Sequence, residues 1–265
     1  MVDVAIAQYA PGLDKQSNLE QLTKLASEAA ESGARIVVAP EYAMFTAPSM
    51  DSRFVLTAES LDGEFVSALA DLATTLGIHI VAGINEAVTG SDKISNTLVA
   101  LAPKLGVVAI YRKLHLYDAF GYKESDVVRA GEIHDPETFV VEDVRFGLQT
   151  CYDLRFPETT RRIVDAGADV LLLPAEWVPG PLKEDHWTTL VRARAIENTI
   201  YVAAADQCAP AGSGASMIVD PMGVIVASLG ERVGMATATV SLERIAEVRM
   251  KNPALELRRF GVTAR

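Results

Sequence analysis

At 265 residues, with 49% apolar and 22% charged side chains, the chain is long enough to bury a large core and too apolar to be disordered. Its formal charge of −11 argues against nucleic acid as a partner, because that binding needs a concentrated basic surface. No apolar run approaches the ~20 residues of a membrane span. The start lacks a basic stretch followed by an apolar one, so no signal peptide is expected, and two cysteines suit a reducing cytoplasm better than a disulfide framework.

Residues 2–8 read as a strand. Ser17-Asn18-Leu19-Glu20 has the form of a capping box and predicts a helix with Leu19, Leu22, Leu25 and Ala29 on one face, ending at Gly33. A buried strand follows at 35–39. A second helix, with Phe65, Leu69 and Leu72 at helical spacing, stops at Gly77 before a strand at 78–84. Residues 97–101 and 107–111 predict a hairpin about Pro103 and Gly106; 138–141 and 144–150 predict another about Glu142-Asp143. Between them, 117–133 has no period and reads as a long loop, a frequent carrier of function. A helix at 157–166, a strand at 169–173, a helix at 184–198 and a strand at 200–204 come next. Two strands around Asp220-Pro221-Met222-Gly223 and a helix at 242–250 complete the chain.

One stretch echoes another. Residues 32–42 and 166–177 both run from a helix end through Gly to a short apolar strand, then Pro, then polar and aromatic residues. The echo predicts two related halves within one domain spanning 1–265. Strands apolar on both faces demand cover on both sides, which an α/β sandwich of two sheets with outer helices provides.

Three apolar runs each end on a chemically useful side chain: Glu41, Lys113 and Cys151. Strand C-termini are where α/β folds usually place ligands. Cys151 stands at a strand-to-helix elbow, where a helix N-terminus favours a thiolate. Such a thiol is expected to alkylate much faster than Cys208 below neutral pH. A Cys–Glu–Lys set can hydrolyse an amide without metal or cofactor: the carboxylate takes the thiol proton, sulfur attacks carbon, and the ammonium steadies the oxyanion. Each residue also has an ordinary reading, as a solvated acid, a surface lysine and a core cysteine. Spacing alone does not bring them together, and Cys208 reads simply as a small buried hydrophobe.

Pro40-Glu41, the run Tyr111-Arg112-Lys113-Leu114-His115-Leu116, and Cys151-Tyr152-Asp153-Leu154-Arg155-Phe156-Pro157-Glu158 together resemble the nitrilase superfamily of carbon–nitrogen hydrolases. The resemblance continues through Asp185-His186-Trp187, residues 192–198, Asp220-Pro221-Met222-Gly223 and the tail, and so covers essentially the whole chain. It implies a four-layer α-β-β-α sandwich, with Glu41 as general base, Lys113 as oxyanion stabiliser and Cys151 as nucleophile. It also implies that Glu124 is a second acid lining the site, that the Tyr152 N–H is a second oxyanion donor, and that the chain forms a homodimer or larger assembly. The elbow sequence looks like the Nit-type amidases, among them ω-amidases and the amidase of deaminated glutathione. True nitrilases usually place Trp-Glu after the cysteine, and that pair is absent here.

Around this set, Tyr42, Glu176 and Trp177 are expected in the substrate pocket, with Trp177 forming the wall opposite Glu41. Glu176 departs from the small or neutral residue usual in Nit-type proteins, and a pocket-facing anion there would disfavour anionic substrates. Asp153 and Arg155 are expected to pair and brace the elbow; Arg155 attracting a substrate carboxylate is the alternative. His115, His186 and Trp187 read as structural, and neither histidine has neighbours at metal-ligand spacing. Arg258-Arg259 are expected to anchor the tail, 251–265, on a partner subunit. The reading is thus a cofactor-free amidase taking a small-molecule amide and water, with an N-carbamoyl amidohydrolase or a non-catalytic scaffold as alternatives.

Overall fold

The computed structural model describes residues 1–264. Its strands are β1 (Val2–Gln8), β2 (Ile36–Val38), β3 (His79–Ala87), β4 (Ile94–Ala102), β5 (Gly106–Arg112), β6 (Val128–Arg129), β7 (Thr138–Val141), β8 (Val144–Leu148), β9 (Val170–Ala175), β10 (Tyr201–Asp206), β11 (Met217–Val219), β12 (Ile225–Ser228) and β13 (Gly234–Val240). Its helices are α1 (Lys15–Glu31), α2 (Ser52–Thr57), α3 (Glu64–Leu76), α4 (Pro157–Asp165), α5 (Lys183–Asn198) and α6 (Leu242–Lys251). Glu124–Asp126 and Cys151–Arg155 form 3-10 turns.

The strands make two sheets with the same plan. One runs β13-β1-β2-β3-β4-β5, with β6 parallel to the start of β4; the other runs β7-β8-β9-β10-β11-β12. In each, three central strands are parallel and the flanking pairs are antiparallel. The echoed segments occupy matching places, since β2 and β9 are each the middle parallel strand. The glycines that end the preceding helices have nearly the same left-handed backbone, φ 92° at Gly33 and φ 94° at Gly167. That conformation is open to glycine and strained for other residues, which explains why both helices stop there.

Side-chain alternation builds the layers. Val4, Ile6, Ile36 and Val38 of the first sheet meet Phe146, Leu148, Val170 and Leu172 of the second in a core between the sheets. The opposite faces of the same strands, such as Ala5, Val37 and Ile80, lie under Leu22, Leu25 and Ala29 of α1 and Phe65 and Leu69 of α3. On the other side, Leu171, Leu173 and Val202 lie under α4 and α5 through Ile163, Trp187 and Val191. Each fully buried side chain of this size contributes about 1.5–3 kcal/mol relative to exposure. The four-layer sandwich expected from the sequence is the observed architecture.

Some local expectations needed correction. The N-cap of α1 is Asp14, whose carboxylate accepts from the Ser17 N–H at 2.7 Å, so Ser17 lies inside the helix rather than at its cap. β13 carries a weak alternation and went unforeseen, yet it pairs with β1 over seven registered residues. Within the tail, the Arg258 guanidinium pairs with Asp165, at the end of α4 in the same chain, at 2.6 Å.

Candidate active site

Glu41, Lys113 and Cys151 follow β2, β5 and β8, and the two sheets bring these strand ends to one place. The backbone after β2 is pressed against β3: the Gly83 N–H donates to the Pro40 carbonyl at 3.2 Å, and a Cβ on Gly83 would lie 2.5 Å from the Tyr42 nitrogen. Only glycine permits that approach. Tyr42 takes a left-handed φ of 53°, and the segment to Ala47 is buried throughout. The Gln207 amide, reaching over from the end of β10, donates to the Glu41 carbonyl at 2.8 Å and to Thr46 Oγ1 at 3.0 Å. The acid is therefore held by both halves of the molecule.

Lys113 is 2% exposed, and its ammonium donates to Glu41 Oε1 at 2.8 Å and to Glu124 Oε1 at 3.0 Å. The Asn96 amide bridges the same two carboxylates, at 2.6 Å to Glu41 and 3.1 Å to Glu124. Glu124 also accepts from the Tyr42 hydroxyl at 2.7 Å and from the Tyr117 N–H at 2.6 Å. The remaining oxygen of Glu41 accepts from the Glu176 N–H at 2.7 Å. Burial alone would lower the Lys113 pKa, but the charges of Glu124 and Glu41 more than offset it, and the ammonium titrates well above its usual range. Glu124 shows the mirror image: burial raises it, while Lys113 and the Tyr117 N–H win and hold it below the ordinary carboxylate value. Buried charges stay ionised only when paired in this way.

Cys151 opens the 3-10 turn with a φ of 42°, a strained conformation for a side-chain-bearing residue. Its thiol reaches the Glu176 carbonyl at 3.5 Å. Burial first, then the negative charge of Glu41 and a hydrogen bond to it, push the thiol well above its ordinary pKa; the Lys113 charge opposes this but does not prevail. Burial and the Glu41 charge therefore work against the thiolate that a helix N-terminus would favour. The first long helix begins only at Pro157, and an anion faces the sulfur. Cys151 is a neutral thiol beside a carboxylate, an arrangement in which deprotonation can accompany attack.

The elbow is braced by Asp153, though not through Arg155. Asp153 is fully buried; it accepts from the Tyr111 hydroxyl at 2.7 Å, the His115 N–H at 2.9 Å and the His115 ring Nδ1 at 2.6 Å. Tyr111 and His115 flank Lys113 by two residues on either side, so one carboxylate ties the cysteine turn to the lysine segment. Arg155 instead packs its guanidinium over Trp177, 4.8 Å from the ring centre.

Glu41, Tyr42, Lys113, Glu124, Cys151 and Glu176 line a common cavity of about 510 Å³, whose outer wall includes Pro48, Tyr117, Tyr122 and Pro179. Trp177 is not part of this wall: it is buried behind it, donating from its ring to the Lys183 carbonyl at 2.7 Å and packing on Trp187. The Tyr152 ring likewise packs on Tyr117 and Phe156 rather than lining the cavity. Glu176 does face the cavity, but burial and the nearby charge of Glu41 raise its pKa far above the carboxylate range. A carboxyl held above its ordinary pKa is a weaker basis for an electrostatic bias against anionic substrates. Asn96, Gln207 and Gly83 were missed in the sequence. Each is an unremarkable residue within or after an apolar strand, and nothing short of the strand pairing reveals its aim. Among the described residues, no group of three or more His, Cys, Asp or Glu side chains is placed to hold a metal ion.

The chain is similar to known proteins along nearly its whole length. Residues 3–250 match the family described as carbon-nitrogen hydrolase. The deaminated glutathione amidase of Escherichia coli O157:H7 is 40% identical over 97% of each chain. Among solved structures, Nit3 of Saccharomyces cerevisiae superposes with a TM-score of 0.86 at 29% identity, covering 98% of this chain and 97% of that one. The Caenorhabditis elegans NitFhit protein gives a TM-score of 0.89 at 29% identity over 97% of this chain, which spans 65% of that longer one. With family match, fold and strand-end cluster in accord, the chain belongs to the carbon–nitrogen hydrolase family.

Proposed function

We propose that this hydrolase is an amidase that converts a small primary amide, of the ω-amide or deaminated-glutathione type, to carboxylate and ammonia through a thioester on Cys151. The observation that carries the reading is the buried set of Glu41, Lys113, Glu124 and Cys151 on one cavity wall, with the Cys151 thiol held above its ordinary pKa by burial and by Glu41. The similarity to deaminated glutathione amidases supports the amide class.

In this reading Glu41 accepts the Cys151 proton as sulfur bonds to the amide carbon. The carbonyl oxygen gains a negative charge, which the Lys113 ammonium and the Tyr152 N–H steady. The proton on Glu41 passes to the amide nitrogen, the C–N bond breaks, and ammonia leaves. A water molecule then attacks the thioester, giving its proton to Glu41. The C–S bond breaks, the acid departs and the sulfur regains a proton. Glu124 keeps Lys113 charged and aimed; it acts through the lysine.

Two further features belong to the proposal. A homodimer using the tail is supported by the exposed side chains of Met250, Leu257 and Phe260, which leave apolar area uncovered on one chain. Two free cysteines suit the cytoplasm. The direct test is ammonia release from a panel of keto-acid ω-amides, aliphatic amides, N-carbamoyl amines and nitriles, with Cys151→Ala alongside. Release from amides that vanishes in the variant is expected. Release with carbon dioxide from carbamoyl compounds alone would replace the reading with a carbamoyl hydrolase.

A further inference from the structure

Lys183 is the first residue of α5 and is only 5% exposed. A buried cation at the positive end of a helix is doubly unfavourable, by desolvation and by the helix dipole. Its ammonium donates to the Tyr117 hydroxyl at 3.1 Å and lies 4.8, 4.8 and 4.9 Å from the ring centres of Tyr117, Phe120 and Trp177. Arg155 shares the same aromatic box, above Trp177 and 5.7 Å from the Phe120 ring centre. Among the described residues its only side-chain hydrogen-bond partner is His186 Nδ1 at 3.4 Å, and its Nε is buried with none.

Among the described residues, neither cation forms an ion pair with a carboxylate, although this chain carries 35 acids against 24 Lys and Arg. Aromatic faces return part of the lost hydration, but they leave two like charges side by side. Burial, and then the Arg155 charge, draw the Lys183 pKa below its ordinary value, while an ionised Cys151 would raise it. The lysine is therefore within electrostatic reach of the nucleophile, and Tyr117, which it touches, lines the same cavity as Cys151. The deep wall of that cavity sets two carboxylates, Glu41 and Glu124, against the single ammonium of Lys113, with the Glu176 carboxyl beside them held above its ordinary pKa by burial and the Glu41 charge. The two cations without a carboxylate partner, Lys183 and Arg155, lie together against Phe120 and Trp177.

We propose that Lys183, with Arg155 beside it, forms a carboxylate-anchoring subsite, so that the preferred amides carry an anionic end remote from the scissile carbonyl. This rests on the amidase reading and adds to it the residue that selects the substrate. The carboxylate would complete the ion pair that the protein leaves open, and would hold the amide at the far end over Cys151.

The test compares glutaramate with pentanamide, which has the same chain length and a methyl group in place of the carboxylate, in wild type, Lys183→Met and Lys183→Arg. Methionine keeps the packing of the stem within the aromatic box. The expected result is a roughly 10- to 100-fold loss of kcat/KM for glutaramate in Lys183→Met, carried by KM, against a much smaller loss for pentanamide. Lys183→Arg should restore most of the difference. An unchanged ratio between the two amides in Lys183→Met would overturn the anchor and leave the amidase reading standing. A readout without turnover separates the two claims: glutarate should protect Cys151 from iodoacetamide in wild type and fail to do so in Lys183→Met. Protection in an enzyme that hydrolyses neither amide would support the subsite while refuting the amidase reading. Equal protection in both proteins would refute the subsite.

Discussion

Gly83→Ala tests whether the position of Glu41 is set by the strand behind it. The added Cβ would stand 2.5 Å from the Tyr42 nitrogen, 2.8 Å from Glu41 Cα and 2.9 Å from the Glu41 carbonyl carbon. Ordinary contact begins at 3.4 Å, so the backbones must part by 3.4 − 2.5 = 0.9 Å. Neither side yields easily, since Gly83 donates to Pro40 and accepts from the Met44 N–H at 3.3 Å. A displacement of that size would stretch the 2.8 Å contact with Lys113 or the 2.7 Å contact with the Glu176 N–H beyond hydrogen-bonding range. Misplacing a reacting group by 1 Å costs about 100-fold in rate, and overpacking costs about 1–3 kcal/mol of stability. The assay is kcat for ammonia release together with Tm. The control is Gly230→Ala, where a Cβ meets nothing within 4 Å. A kcat within threefold of wild type, in a variant whose lowered Tm proves the strain, would refute the argument that this contact sets the catalytic geometry.

Other perturbations probe the rest of the cluster. Asn96→Ala removes the one amide shared by Glu41 and Glu124; kcat should fall about 100-fold, from the loss of two hydrogen bonds to charged groups, and steady-state kinetics will show it. Asp153→Asn weakens the tie between the cysteine turn and both flanks of Lys113, and should lower kcat roughly 10- to 100-fold with KM little changed. Tyr111→Phe, which removes one arm of that tie, should cost less, and the reverse order would contradict the bracing role. Because the Cys151 pKa is raised, its thiolate fraction at any given pH lies below that of a free thiol. Iodoacetamide labelling followed by mass spectrometry should therefore be slow below neutral pH and keep climbing past the ordinary thiol range. A plateau reached in mild acid would mean a resting thiolate instead.

The layers of the fold were legible because the central strands repeat a pattern that physics reads directly: apolar on both faces, preceded by helices that end at Gly33 or Gly77, with a hairpin broken at Pro103 and Gly106. Glu41, Lys113 and Cys151 stood out because each ends such a run on a group with chemical use. What stayed hidden depended on contacts between distant segments. Asn96 lies within β4, where a polar residue reads as a flaw in an apolar run until β4 is seen passing beneath Glu41 and Glu124. Asp153 and Arg155 are two residues apart and of opposite charge, so a pair was the natural expectation; the aromatic box around Trp177 and the approach of His115 decided otherwise. The state of Cys151 was misjudged for a similar reason. A local argument from a helix end could not weigh a carboxylate contributed by the other half of the chain. β13 escaped notice because its exposed face is small and polar, and only its seven-residue pairing with β1 makes it a strand.

The central claim is that Cys151 carries the acyl group between two bond-breaking steps. Mixing enzyme with a hydrolysed ω-amide, quenching in acid within milliseconds and weighing the intact protein tests it most directly. The account predicts an adduct on Cys151 with the mass of the acyl group, formed together with one equivalent of ammonia and before the carboxylic acid appears. Undiminished turnover in Cys151→Ala, or acid and ammonia released in step with no adduct at any quench time, would contradict it.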